Sequence, residues 1–456
     1  MWGIANRIRR HLADPESQHR KIAQGFLWVS LFVFLSKLAG AAKEMTIAWR
    51  YGVSETVDAY VFVFNLVSWP VSIWFGILTV VLVPLAARLR SESPSELPRF
   101  RAELLGLTLL LGLGLGALAG VAMPALLRSS WLGLAGSTVA KAISMTSGLA
   151  LLVPLGFVVS LFSAWLLAAA RHRNTLFEAI PAFVLMIFVL LPPGLVAEPL
   201  LWGTVAGFAL HMTALASPLR RHRELELPAF TQRSPAWQGF WGSISIMALG
   251  QVLMSITSLV DQFFAAGLGP GALSTLSYAN RILGLVLGLG ATTIARATLP
   301  VFSEAQTGCS LQANHLALYW AKLVLTFGFF ILAASWFVAP WVVVLLFERG
   351  AFVPENTGAV TTALRYGLFQ VPFYAFALTM ASHIASQKKY YILLVSGGIG
   401  LIAKFMGGMV LIEHMQLNGL MLSGAVVYLA TGIFFYIYIR HKEKNERAEQ
   451  TNRTGR

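Results

Sequence analysis

Residues Ser36–Gly52 read SKLAGAAKEMTIAWRYG, and how this stretch is understood decides the fold. It begins inside an apolar run yet carries Lys37, Lys43 and Glu44. A charge at mid-bilayer costs about 2.5–3.5 kcal/mol on insertion scales. Either the run does not cross a membrane, or the charges have a task there. The rest of the chain favours the second reading. Of 456 residues, 57% are hydrophobic and 12% charged, and the mean hydropathy is +0.69. That leaves too little polar surface for a water-soluble protein of this length. Backbone groups in lipid must be paired internally, which allows helices or closed barrels. The long apolar runs lack two-residue alternation, so a barrel is excluded. The expected class is an all-α, multi-pass membrane protein.

Apolar windows predict twelve spans, at approximately 25–48, 58–86, 104–126, 144–170, 176–194, 199–217, 239–264, 275–299, 316–346, 360–385, 389–412 and 417–439. With the N-terminus in the cytoplasm, 23 of the 34 lysines and arginines fall in inside segments, counting Lys388 and Lys389 in one turn. Only Arg50, Arg128, Lys141 and Arg349 fall outside. This bias follows the positive-inside rule and places both termini in the cytoplasm. The net charge of +14 is therefore mostly topological, with attraction to lipid headgroups added; a nucleic-acid partner is not expected. Residues 1–22 lack a short apolar core with a cleavage site, so the first span is expected to stay in the mature protein. The resulting layout is a cytoplasmic segment 1–22, a six-helix bundle 23–217, a cytoplasmic linker 218–238, a second six-helix bundle 239–440 and a basic tail 441–456. A shift of about 215 residues aligns Asn65…Pro84 with Arg281…Pro300, a weak parallel repeat. Such repeats build transporters with a central site between two bundles.

The charges inside spans are the candidate functional residues. Lys37 lies about 12 residues into the first span, roughly 18 Å at helical rise, too deep to snorkel easily. Glu44 sits seven residues on, near the same face, so a Lys37–Glu44 structural pair competes with a cavity-facing role for the lysine. Lys43, Arg281 and Lys404 are further bases of this kind, and Asp58 caps its helix or pairs with a cavity base. If several of these bases face one cavity, that cavity suits an anionic substrate, a phosphate above all. Glu44, Asp261 and Glu178 are the candidates for gating or ion coupling, with a cation gradient or the membrane potential as the energy source. Arg296, Lys322 and Arg365 lie near span ends, where snorkelling suffices. Gly112, Gly116 and Gly120, and likewise Gly284 and Gly288, read as helix-packing stripes. Cys309 is the only cysteine, and the nine histidines show no metal-ligand spacing. No phosphate-binding GxxxxGK[ST] loop occurs, and no cofactor is expected. A membrane glycan ligase or polymerase would want an extended outer loop rich in Arg and His, which is missing. A cation-coupled exporter of small molecules would want carboxylates deep in the first bundle, where lysines stand instead.

The stretch SKLAGAAKEMTIAWRYGVSETVDAYVFVF (36–64) resembles the first two helices of the MurJ/MviN lipid II flippase family, within the wider group that includes MATE-like and polysaccharide exporters. The family pattern S-R-x-x-G-x-x-R-[DE] meets Lys37, Lys43 and Glu44 here, and its D-A-[FY] meets Asp58. The likeness continues through AAARHRNTLFEAIPAF (168–183), through SYANRILGLVLGLGATTIARATLPVFSEA (277–305), with Arg281 at the family's basic position, and through LLFERGAF (345–352).

The resemblance implies two six-helix bundles around a central cavity, in the inner membrane of a bacterium. There Lys37, Lys43 and Arg281 would hold the diphosphate of a polyprenyl-linked saccharide, and Asp58 would pair with a base when the outer gate closes. Three departures point away from lipid II itself. Lysine replaces arginine at both first-helix positions, losing bidentate geometry. The segment SWPVSIWFGILT (68–79) lacks the charged R-R-x-[FL]-x-E-G element. The sequence also ends after twelve predicted spans, where lipid II flippases usually add two. A surface or exopolysaccharide repeat unit is therefore the expected headgroup, with polysaccharide polymerase or export machinery as a partner. The alternatives are a MATE-type cation-coupled exporter and a membrane glycan enzyme.

Overall fold

The computed structural model describes residues 35–169, 177–308, 310–387 and 389–454. The expected segment 1–22, the start of the first span, the 171–175 turn and Cys309 lie outside them. Among the described residues the secondary structure is helical, without strands. In chain order the helices are α1 (35–51), α2 (Glu55–Glu92), α3 (Glu96–Leu127), α4 (Gly136–Leu149), α5 (Leu152–Ala168), α6 (Ile180–Leu190), α7 (Pro199–Arg221), α8 (Ala236–Ala266), α9 (Ala272–Gly308), α10 (Ser310–Phe347), α11 (Pro354–Leu368), α12 (Gln370–Ser386) and α13 (Tyr390–Thr454).

Among the described residues, eight helical stretches are long and apolar enough to cross a membrane, and nine if the α4–α5 pair, bent by 47°, counts as one span. The predicted fifth span is a shorter apolar helix, Phe177–Leu190. The last stretch, Tyr391–Lys444, has 54 residues. A straight helix of that length would reach about 80 Å, far beyond a hydrocarbon core of about 30 Å. Gln416 breaks it, with φ 50° and ψ −128°. Three residues later, a Cβ on Gly419 would stand 2.1 Å from the carbonyl oxygen of Leu411. Only glycine lets the chain fold back so tightly, and this turn separates the two predicted spans that α13 joins.

The chain forms two compact units. The first holds the described residues up to Ile47, Trp74–Ala117 and Gly148–Ile244. Its core includes Phe100, with ring centroids 5.2 Å from Trp237, 5.8 Å from Phe240 and 6.3 Å from Trp165. Beside this cluster Glu103, 1% exposed, accepts four hydrogen bonds. The donors are the Thr231 hydroxyl (2.9 Å), the Arg233 and Ser234 N–H groups (3.0 and 3.1 Å) and the Trp237 indole (2.7 Å). A buried carboxylate is tolerated because these donors replace its water, and they fasten residues 231–237 onto the start of α3. The predicted packing of Gly112 and Gly116 holds. A Cβ at either position would come within 3.0 Å of Pro154 on α5.

The second unit holds Ala48–Ile73, Leu118–Ser147 and the described residues from Ser245 onward. It joins the C-terminal end of α1 and the first half of α2 to α8–α13. Phe62 meets Phe263 edge-on at 5.8 Å, and the Trp69 indole donates to Ser255 Oγ at 3.0 Å. The predicted packing stripe at Gly284 and Gly288 is overturned. No neighbouring atom lies within 4 Å of the Cβ position at either glycine, because both sit on an exposed face of α9.

Candidate functional site

In the first unit, α1 presents Lys37 on an exposed face. Gly40, one turn on, has no neighbouring atom within 4 Å of its Cβ position. The expected structural alternative, a Lys37–Glu44 pair, does not form. Glu44 instead meets Lys43, with Nζ 2.9 Å from Oε1. Adjacent residues do not face each other on a helix, so this pair is made by side-chain reach and is not imposed by the backbone. Glu178 lies exposed in the short turn 177–179 ahead of α6.

In the second unit, Asp58 is 2% exposed. The expectation that it pairs with a base is corrected. Its carboxylate accepts from the Gly271 N–H and from the Ser274 N–H at 2.7 Å. These donors stand at the N-terminus of α9, where helical N–H groups have no partner within the helix and the dipole favours an anion. Sequence separation hid this pairing, since the two residues are 216 positions apart. The surrounding contacts run through backbone. Tyr278 donates its hydroxyl to the Gly52 carbonyl at 3.0 Å, and the Ala351 N–H donates to the Trp49 carbonyl at 2.8 Å. Gly52 has φ +56°, and a Cβ there would stand 2.3 Å from the Ala351 oxygen. Glu55 adds bonds from the Ser137 hydroxyl at 2.6 Å and the Lys141 ammonium at 3.2 Å. Asp58, Tyr278 and the 345–352 stretch lie far apart in the sequence, and the structure joins them in one connected cluster.

Arg281 lies exposed on α9, followed one turn later by Gly284 and Leu285 on the same exposed face. Lys404, expected among the substrate-binding bases, lies buried instead, with Nζ 2.6 Å from Asp261 Oδ1 and 2.8 Å from Ser423 Oγ. The two residues proposed for different tasks are thus each other's partners. Arg365, expected to snorkel, donates to the Trp336 carbonyl at 3.1 Å and stacks on that ring at 5.3 Å. Two polar clusters escaped the sequence reading altogether. One is centred on Glu103. The other joins buried His383 to Asn314 Oδ1 at 2.8 Å and to Gln387 at 2.9 Å. No local signal marks either, because each is assembled from distant elements. Among the described residues no group of three or more His, Cys, Asp or Glu side chains is placed to hold a metal ion.

Comparison with known proteins adds the following. The family model described as "Lipid II flippase MurJ" matches residues 47–452. A probable lipid II flippase MurJ of Buchnera aphidicola subsp. Baizongia pistaciae is 21% identical over 439 residues, which is 92% of this chain and 83% of that protein. The lipid II flippase MurJ of Burkholderia cenocepacia is 22% identical over 374 residues, covering 76% of this chain and 70% of the relative. Among solved structures, a lipid II flippase MurJ in an inward closed conformation superposes with TM-score 0.79 at 18% identity, covering 91% of this chain and 87% of that one. A multidrug resistance MATE family transporter in an inward-facing conformation gives 0.73 at 15% identity, covering 91% and 96%.

Proposed function

Since the chain belongs to the lipid II flippase MurJ family of multi-pass membrane proteins, we propose that it moves a polyprenyl-diphosphate-linked saccharide from the inner to the outer leaflet of a bacterial cytoplasmic membrane by alternating access. The observation that carries this reading is a repeated arrangement. Lys37 on α1 and Arg281 on α9 are exposed cations within apolar helices, each followed three residues later by a glycine with open space around it. A base on the exposed face of an apolar helix is placed to meet an anion that enters the span, and glycine leaves room for a bulky headgroup. Lysine offers a diphosphate a point charge and arginine a planar fork. Lys43 contributes when a diphosphate competes with Glu44 for its ammonium.

The reading takes twelve spans with both termini in the cytoplasm. In that orientation the seal made by Asp58, Gly52, Tyr278 and Ala351 is the closed outer gate. A cytoplasm-negative potential then favours outward movement of the anion by about 2.3 kcal/mol per charge per 100 mV. The headgroup we take to be a surface or exopolysaccharide repeat unit, handed on to a polymerase or export machinery. Support comes from lysine at positions 37 and 43, and from the uncharged stretch 68–79.

The test is mass spectrometry of lipid-linked saccharides in cells depleted of the protein, with sidedness read by an impermeant label. Inner-leaflet accumulation of one repeat unit is the expected result. Accumulation of lipid II would keep the flippase and overturn the headgroup. If no intermediate accumulated in cells confirmed to be making the glycans, the second reading would take its place: a cation-coupled exporter, favoured by the likeness to MATE structures. That reading stands second because lysines occupy the first bundle where it would want carboxylates, and because Asp261, in the second unit, is engaged by Lys404.

A further inference from the structure

The polar core of the second unit holds an ammonium group ligated as a free cation would be. Lys404 Nζ lies 2.6 Å from Asp261 Oδ1, 2.8 Å from Ser423 Oγ and 3.4 Å from the Leu420 carbonyl oxygen. Ser423 donates its own proton to that same carbonyl at 2.6 Å, so its lone pairs face the ammonium. Three oxygens thus surround an ammonium that carries three N–H donors, with Ser423 and Leu420 accepting hydrogen bonds and the Asp261 carboxylate pairing by charge. The acceptors come from α8 and from the second arm of α13, while the lysine itself comes from the first arm. Lys404 is 5% exposed, too enclosed for its charge to serve a passing substrate. Carboxylate, hydroxyl and carbonyl oxygens are the donor set that hard cations take, and the lysine ammonium is a compact point charge of the same sign.

We infer that Lys404 is a tethered cation: its ammonium takes the place that an exchangeable monovalent cation such as sodium would occupy between Asp261, Ser423 and Leu420. The donor set therefore does not fit a bound ion as the chain stands, and the protein does not couple its movement to a cation through Asp261. The tether also fastens α8 to the α13 hairpin in every state in which the pair persists. A cation site is latent there, uncovered only when the lysine side chain is shortened. The inference is independent of the flippase reading, because ion binding can be read without any substrate.

The experiment is thermal unfolding of the purified full chain, followed by tryptophan fluorescence, in sodium chloride against choline chloride at constant ionic strength. The wild-type Tm is expected to be the same in both salts. Lys404→Ala should start lower in choline and rise with sodium in a saturable way, on the order of one or two degrees at tenfold excess over Kd. Adding Asp261→Asn should abolish that rise. Lys404→Arg, which keeps the charge, should remain indifferent to sodium. Saturable sodium stabilisation of the wild type, lost in Asp261→Asn, would overturn the inference even if Lys404→Ala failed to fold. A folded Lys404→Ala protein indifferent to sodium would overturn it as well.

Discussion

Replacing Asp58 with alanine removes the acceptor for the Gly271 and Ser274 N–H groups at the start of α9. A hydrogen bond to a charged group contributes about 1.5–3 kcal/mol. When the seal opens, water takes over both N–H groups and the carboxylate, so the net difference between closed and open falls to about 1–1.5 kcal/mol per bond. For two bonds this comes to about 2–3 kcal/mol. At about 1.4 kcal/mol per decade, the open population should rise roughly 30- to 150-fold. Asp58→Asn keeps one oxygen and should give about the square root of that, roughly 5- to 12-fold. The reporter is Ser274→Cys, since Ser274 is fully buried and the substitution keeps its backbone donor. The chain's single cysteine, Cys309, is changed to serine in this background. The rate of labelling by an impermeant maleimide added outside the cell then measures opening. Tyr278→Phe, which removes the hydroxyl bonded to Gly52 at 3.0 Å, is the companion variant. If Asp58→Ala left the rate within twofold of its parent while Tyr278→Phe raised it, Asp58 would not be part of the seal.

Three other outcomes follow from the same contacts. Glu103→Gln turns an amide donor toward some of four donors, and the first unit should lose about 2–4 kcal/mol; limited proteolysis within 222–235 should speed up accordingly. Gly112→Ala places a Cβ 2.9 Å from Pro154 Cα, whereas Gly284→Ala meets nothing within 4 Å. Thermal unfolding should therefore show the first destabilised by about 1–3 kcal/mol and the second close to unchanged. Charge reversal at Lys37 and Lys43 should abolish lipid-linked saccharide movement in the sidedness assay at unchanged expression; intact movement would remove both lysines from the mechanism.

The legibility of the sequence differed between elements for a physical reason. The apolar runs were readable because lipid forces each span to satisfy its own backbone. That information is local and survives without tertiary contacts. The last two predicted spans illustrate the limit of this. Hydropathy separated them correctly, but the reason for the turn, a glycine pressed against the Leu411 carbonyl, is a contact. The glycine stripes show the same division. Gly112–Gly116 and Gly284–Gly288 share one spacing, yet one pair packs and the other faces open space, because spacing specifies a face and not what covers it.

By itself the sequence determined an all-helical membrane protein and its resemblance to a flippase family, down to the basic positions Lys37, Lys43 and Arg281. Tertiary structure alone decided what each charge does. It gave Asp261 to Lys404 and Asp58 to the free N–H groups of α9. A charge within an apolar span announces in the sequence that it needs a partner, since leaving it bare costs several kcal/mol. Which partner satisfies it depends on helices brought together by folding, and a backbone N–H, the partner Asp58 found, is present at nearly every position in the chain.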